Sequence, residues 1–194
     1  MIKKLYDWVI HWAETKYGVP VMAFISFIES SIFPIPPDPL LMALGLSRPN
    51  KAILYAIICS VASVAGGLVG YLIGWTIWEI VSEFFLTYLF SVDAFNYVEI
   101  KYNENAFLAI LGAAFTPIPY KVFTITAGVF KINLATFILA SSIGRSARFL
   151  IEGSLIYFFG EKIRDFIEKY LNLLSIIFFI LLLVGIYITK FLLK

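Results

Sequence analysis

The chain has 194 residues, 61% of them apolar and only 14% charged, with a mean hydropathy of +0.91. A soluble domain normally carries about a quarter charged residues, so the composition places this chain in a membrane. The net charge of +2 gives no footing for nucleic acid. One cysteine, Cys59, leaves no intrachain disulfide, and one histidine, His11, leaves no multi-histidine metal site.

Residues 1–17 read as a short amphipathic helix lying on the membrane surface. Ile2, Leu5, Val9 and Trp12 share one face, and Lys3, Asp7, His11 and Glu14 the other. Asp7, His11 and Glu14 interrupt the apolar stretch that a signal peptide needs. Residues 18–78 form a first unit. Its apolar run is broken at Glu29, at the prolines 34, 36, 37 and 39, and at Asp38. From Ala52 to Trp78 it then runs 27 residues without a charge, enough to cross the roughly 30 Å hydrocarbon core. Residues 79–104 mix acids with aromatics and are expected to lie at the interface as a connector. Residues 105–160 form a second unit, broken at Pro117, Pro119 and Lys121 and followed by a spanning helix over 134–160 that carries Arg145, Arg148 and Glu152. Residues 161–194 supply a charged connector and a C-terminal span, Tyr170 to Thr189, of 20 uncharged residues.

The two units look like copies of each other. Phe33-Pro34-Ile35-Pro36-Pro37-Asp38 is answered 83 residues later by Thr116-Pro117-Ile118-Pro119-Tyr120-Lys121. At the same offset Gly45 meets Gly128, Arg48 meets Lys131, Asn50 meets Asn133 and Ala52 meets Ala135. Proline removes a backbone donor and clashes with the preceding turn. Such backbone is tolerated at membrane depth only where protein or water covers it. Residues 19–46 and 106–130 are therefore read as re-entrant helix–break–helix hairpins, with Pro34, Pro36 and Pro37 at one tip and Pro117 and Pro119 at the other. One crossing between them, at 52–78, makes the second hairpin enter from the opposite leaflet. The expected architecture is an all-α integral membrane protein built as an inverted repeat, with both tips near the midplane. Asp38 and Lys121 then become a candidate contact.

Positive charges set the orientation. Lys3, Lys4, Lys16, Arg48, Lys51, Lys162, Arg164 and Lys169 fall on one side, and Lys101, Lys131, Lys190 and Lys194 on the other. The excess predicts a cytoplasmic N-terminus.

Six ionisable residues fall at membrane depth: Glu29, Asp38, Lys121, Arg145, Arg148 and Glu152. At about 3 kcal/mol each, six unpaired charges would cost roughly 18 kcal/mol, so they must face one another, water or a polar substrate. Ser141, Arg145, Arg148 and Glu152 share one helical stripe. Arg148 and Glu152, four apart, could pair along their own helix. Two guanidinium groups facing a cavity suit a phosphate or carboxylate. Ser63, Gly67, Gly70 and Gly74 form a small-residue face, read as close helix packing. No Ser-His pair or metal motif is present, so neither an enzyme, a cofactor nor a metal is expected.

Phe27-Ile28-Glu29 with Phe33-Pro34-Ile35-Pro36-Pro37-Asp38-Pro39-Leu40-Leu41 resembles the first hairpin of the DedA (VTT domain) membrane proteins. Phe115-Thr116-Pro117-Ile118-Pro119-Tyr120-Lys121 with Ala127-Gly128 resembles the second, and Gly144-Arg145 with Arg148-Phe149 resembles the helix that follows. The similarity covers about residues 17–160, and the YqaA-like branch is the most similar. It implies a flippase or scramblase that moves a phosphate-bearing lipid, a polyprenyl phosphate or a phospholipid, between leaflets, with protons as the candidate coupling ion. Glu29 and Asp38 match the family's acidic pair. Lys121 stands in for one arginine of its basic pair, and Phe115 stands near the other. Arg145 and Arg148 could compensate from the next helix. The alternative reading of the same residues is a proton- or cation-coupled transporter of a small anion.

Overall fold

The computed structural model describes residues 15, 17–33, 35–88, 92–116, 118–160 and 162. The expected interfacial helix at 1–17, apart from residues 15 and 17, lies outside them. So do all but residue 162 of the 161–169 connector, the C-terminal span, and the tip residues Pro34 and Pro117.

Seven helices account for nearly all described residues, and no strand occurs among them. They are α1 (Gly18–Ser31), α2 (Asp38–Ser47), α3 (Ala52–Tyr88), α4 (Val92–Glu104), α5 (Ala106–Phe115), α6 (Tyr120–Val129) and α7 (Leu134–Gly160). Two are long and apolar enough to cross a membrane: α3, with the preceding turn, over Pro49–Phe84, and α7 over Leu134–Gly160. The element order is the same in both halves, two short helices around a break and then a long one.

The breaks follow from local chemistry. Pro37 precedes α2, where a missing amide costs nothing, and Asp38 favours the positive end of the helix. Tyr120 begins α6 directly after Pro119. At the end of α6, Lys131 takes a left-handed φ of 50°, and the amides of Lys131 and Ile132 reach back to the carbonyls of Gly128 and Ala127. Asn133 Oδ1 then accepts the Thr136 amide at 3.1 Å and caps α7. The first half reverses differently at the equivalent place, through a 3₁₀ turn at Pro49–Lys51.

Packing fixes helix directions. Ser26 Oγ donates to the Cys59 carbonyl at 2.8 Å, and Ser30 Oγ lies 2.7 Å from Ser63 Oγ, so α1 and α3 run the same way. Gly67, Gly70 and Gly74 of α3 press on Tyr120, Thr124 and Ile125, so α6 also runs with α3. On α7, Gly144 packs on Leu111 and Ala114, and Arg148 reaches Thr116, so α5 runs with α7. Arg148 meets Asp38 and Ile156 meets Gly45, so α2 runs with α7 too. Gly153 meets Ala52 and Ala56, while Arg145 meets Ser63, so α3 and α7 are antiparallel. The chain therefore doubles back at each break. The first short helix of each half packs on that half's own long helix, and the second packs on the long helix of the other half.

Two large apolar cores and a small third one, Leu46, Ala52 and Ile156, form among the described residues. Met22, Leu41, Leu44, Tyr55, Cys59 and Phe149 belong to one large core, and Tyr71, Ile110, Tyr120, Phe130, Ile132 and Phe137 to the other. Polar side chains are also buried, among them Ser26, Ser30, Ser63, Ser141 and Arg145. The outer faces are apolar, with Ile80, Phe158, Leu108 and Val61 all more than three-fifths exposed. Such a surface suits lipid rather than water.

The segment 79–104, expected as one interfacial connector, is helical in two pieces. Its first ten residues continue α3 to Tyr88, and only then does α4 begin. Trp78 stacks on Phe95 with ring centroids 4.7 Å apart, and Phe95 and Tyr102 both pack on Phe130. This aromatic cluster ties α4 to the end of α3 and to the loop after α6. Burial raises the pKa of the Tyr102 phenol, which donates to the Phe123 carbonyl.

Glycine placement yields a direct test. A Cβ at Gly66 would run into the Phe27 carbonyl, which cannot move without displacing α1, whereas one at Gly112 meets nothing within 4 Å. Gly66→Ala should cost about 2–3 kcal/mol. Gly112→Ala should be neutral or stabilising by up to about 1 kcal/mol. Thermal unfolding of both variants in detergent checks the contrast.

Candidate functional site

The site is built on α7. Its 3.6-residue period puts Ser141, Arg145, Arg148 and Glu152 on one stripe, and the packing of Gly144 on Leu111 brings the helix close to α5. The two arginines find different surroundings.

Arg145 is closed in, with 3% of its surface exposed. Its Nε donates to Ser63 Oγ, and its Nη2 donates to Glu29 Oε2 at 2.9 Å and to Ser30 Oγ at 3.5 Å. The guanidinium also sits over the rings of Tyr120 (4.9 Å) and Phe149 (4.8 Å). Ser30 is held in turn by the Ser26 carbonyl and by Ser63. Beside it, Tyr120 Oη and Ser141 Oγ are buried without a hydrogen-bond partner among the described residues.

Arg148 sits one turn on, at the breaks. Its Nε and Nη2 both donate to Asp38 Oδ1, and its Nη1 donates to the Thr116 carbonyl at 2.9 Å. One side chain thus holds the start of α2 and the end of α5 together. The Arg148 and Asp38 side chains are each 24% exposed, against 4% and 15% for Arg145 and Glu29. Of the two buried-charge pairs, this is the one that an outside group can reach.

These pairs revise two expectations. Asp38 is matched with Arg148, not with Lys121, and Lys121 makes no ion pair among the described residues. Lys121 lies in the first turn of α6 and is half-buried. Arg148 bonds across the molecule rather than along its own helix to Glu152. The geometry is the reason: Asp38 and the Thr116 carbonyl satisfy three Arg148 donors at once. Glu152 is left with a buried Oε1 that has no hydrogen-bond partner among the described residues. Glu29, Asp38, Arg145 and Arg148 are therefore brought together, while Lys121 and Glu152 stand beside them without an ion pair. Pro36 is exposed and Pro37 buried at the first break, and Pro119 is exposed at the second.

Ser30, Ser63, Thr116 and Tyr120 belong to the site as well. Ser63 shares a face with Gly67, Gly70 and Gly74, and those glycines do serve close packing. Ser63 instead serves Arg145. Its signal in the sequence was a hydroxyl on an otherwise Gly-lined face. No groups of three or more potential metal ligands occur among the described residues.

The fold and the site define an all-helical integral membrane protein whose polar centre is a paired row of two arginines and two carboxylates. The VTT domain family matches residues 35–162, and the chain belongs to that family, the domain of the DedA membrane proteins. An uncharacterized protein of Haemophilus influenzae is 32% identical over 186 residues, covering 96% of each chain. An uncharacterized protein of Histophilus somni is 30% identical over 158 residues, covering 81% of this chain and 82% of its own. No solved structure matches.

The Arg145–Glu29 pair lends itself to a cycle. Arg145→Met leaves a buried carboxylate without its cation and should cost about 3–5 kcal/mol. Adding Glu29→Leu should recover most of that loss. Denaturation midpoints of the single and double variants provide the check. A double variant no more stable than Arg145→Met would mean that the two groups are not energetically coupled.

Proposed function

We propose that the protein carries a phosphate-bearing amphiphile between the two leaflets. In this reading the two helix–break–helix pairs are re-entrant hairpins of an inverted repeat. Helix directions support it: α1, α3 and α6 run one way and α2, α5 and α7 the other, as an inverted second unit requires. Three exposed cations at the end formed by α2, the start of α3 and the end of α7 (Arg48, Lys51 and Lys162) support assigning that end to the cytoplasm. At the other end, Glu79, Glu83, Asp93, Glu99 and Glu104 outnumber Lys101 and Lys131.

The observation that carries the proposal is the double grip of Arg148 on the two breaks while it stays partly exposed. A phosphate can take the place of Asp38 on the guanidinium, because Nε and Nη2 both converge on one carboxylate oxygen and a phosphate oxygen can accept from the same two donors. Exchange of Asp38 for a head group would loosen α2 from α7. Lys121, without an ion pair among the described residues, adds a second cation at the tips. Arg145 has a different part: its donors are occupied by Glu29 and Ser63, and it keeps α1, α3 and α7 in place while the tips respond. The chemistry asked of these residues is exchange of ion-pair partners, so the reading is of a transporter and not of an enzyme.

Reconstitution in liposomes tests it. Labelled phospholipid or polyprenyl phosphate should cross faster than in protein-free vesicles. Arg148→Lys keeps the charge but loses the fork, and should slow transfer by roughly ten- to a hundredfold with little change in melting temperature. Wild-type protein that moves neither lipid, but takes up a small anion, would replace this reading with the small-anion transporter.

A further inference from the structure

A second lipid-facing feature lies at the proposed cytoplasmic end, away from the paired charges. A cleft of about 380 Å³ opens where the end of α7 meets the 3₁₀ turn before α3. Its floor is tight, since a Cβ at Gly160 would sit 3.2 Å from the Pro49 ring. Asn50, Tyr157 and Lys162 are exposed on its walls. Arg48 and Lys51 flank the wall residues Pro49 and Asn50 and are exposed. Among the described residues none of these three cations makes an ion pair. Glu161, beside Lys162, is outside the described residues.

The cleft continues down the membrane face of α7. Phe158 lines both it and a groove of about 370 Å³ that runs to Ala147. The groove is almost wholly apolar, with Ile151 and Leu155 exposed along it. The eleven helical rises between Ala147 and Phe158 give it a length of roughly 16 Å. A polar, cationic mouth with an aromatic rim, joined to an apolar channel of that length, has the shape and polarity of one amphiphile lying along the protein.

We propose that this cleft and groove hold an anionic phospholipid of the cytoplasmic leaflet, its phosphate head group among Arg48, Lys51 and Lys162 and one acyl chain along α7. Charge complementarity chooses the occupant. Three cations without an ion pair among the described residues, at a membrane surface, favour an anionic head group over a zwitterionic one, and the attached channel favours a lipid over a free anion. The site is a resident lipid seat, separate from the tips, and it exists whether or not lipid is moved there.

The test uses delipidated full-length protein in detergent, with bound lipid counted by native mass spectrometry. Phosphatidylglycerol should be retained in preference to phosphatidylcholine of the same chains. Arg48→Gln/Lys51→Gln/Lys162→Gln, all at exposed positions, should weaken phosphatidylglycerol binding by roughly 100-fold with an unchanged melting temperature. Ile151→Trp, which fills the groove, should weaken it severalfold. Asp38→Asn/Arg148→Gln, which disables the proposed translocation site, should leave it intact. Equal retention of the two lipids overturns the proposal. So does full retention by the triple variant or by Ile151→Trp, loss of binding in Asp38→Asn/Arg148→Gln, or displacement by equimolar inorganic phosphate.

Discussion

Charge in hydrocarbon is the constraint from which the rest of this structure follows. An arginine at the centre of a span costs several kcal/mol unless it is paired, and Arg145 is almost fully buried. Its pairing with Glu29 and Ser63 therefore fixes where α1, α3 and α7 meet. The serine row of α1 and α3 is held in the same place, because Ser30 and Ser63 serve both each other and the guanidinium. Removing the pairing would leave a buried ion and also unpin the packing of three helices.

Close packing makes this pairing reachable. Gly66, Gly74 and Gly128 sit directly against backbone carbonyls of the opposing helices, so side chains as short as serine can bridge between them. The second short helix of each half leans on the long helix of the other, which interlocks the halves instead of leaving them side by side. Arg148 stands where both breaks converge on α7. It is the only one of the two arginines with both a partner from each half and an exposed edge. The division of labour between a sealed arginine and a reachable one is set by one helical turn.

Much of this was legible in the sequence. The breaks at Pro36-Pro37-Asp38 and Pro119-Tyr120 announce themselves, because proline ends a helix by sterics that need no tertiary context. The span at 134–160 and the inward stripe of Arg145, Arg148 and Glu152 follow from helical period and the cost of charge. Partner choice did not follow. Asp38 and Lys121 occupy equivalent positions of the repeat, and equivalence suggested contact, yet Arg148 outcompetes Lys121 because its fork satisfies Asp38 and the Thr116 carbonyl together. The continuation of α3 to Tyr88 was hidden for a related reason. Glu79 and Glu83 look like the end of a span, but the Trp75 indole and Lys131 hold Glu79 at the helix surface beyond the apolar stretch, and the backbone continues. Local rules locate elements and interruptions. Competition among several donors for one carboxylate is decided only in three dimensions.

In the proposed arrangement the two units enter the membrane from opposite sides and meet at a shared row of charges. Asn50 and Asn133 are equivalent positions, each exposed between a second short helix and the following long one. Cysteines placed at either residue in a Cys59→Ser background, probed with a membrane-impermeant thiol reagent in sealed oriented vesicles, measure this directly. The two sites are expected to react from opposite faces. Labelling of both from the same face would contradict the inverted arrangement and the convergence of the two breaks on Arg148 within the membrane.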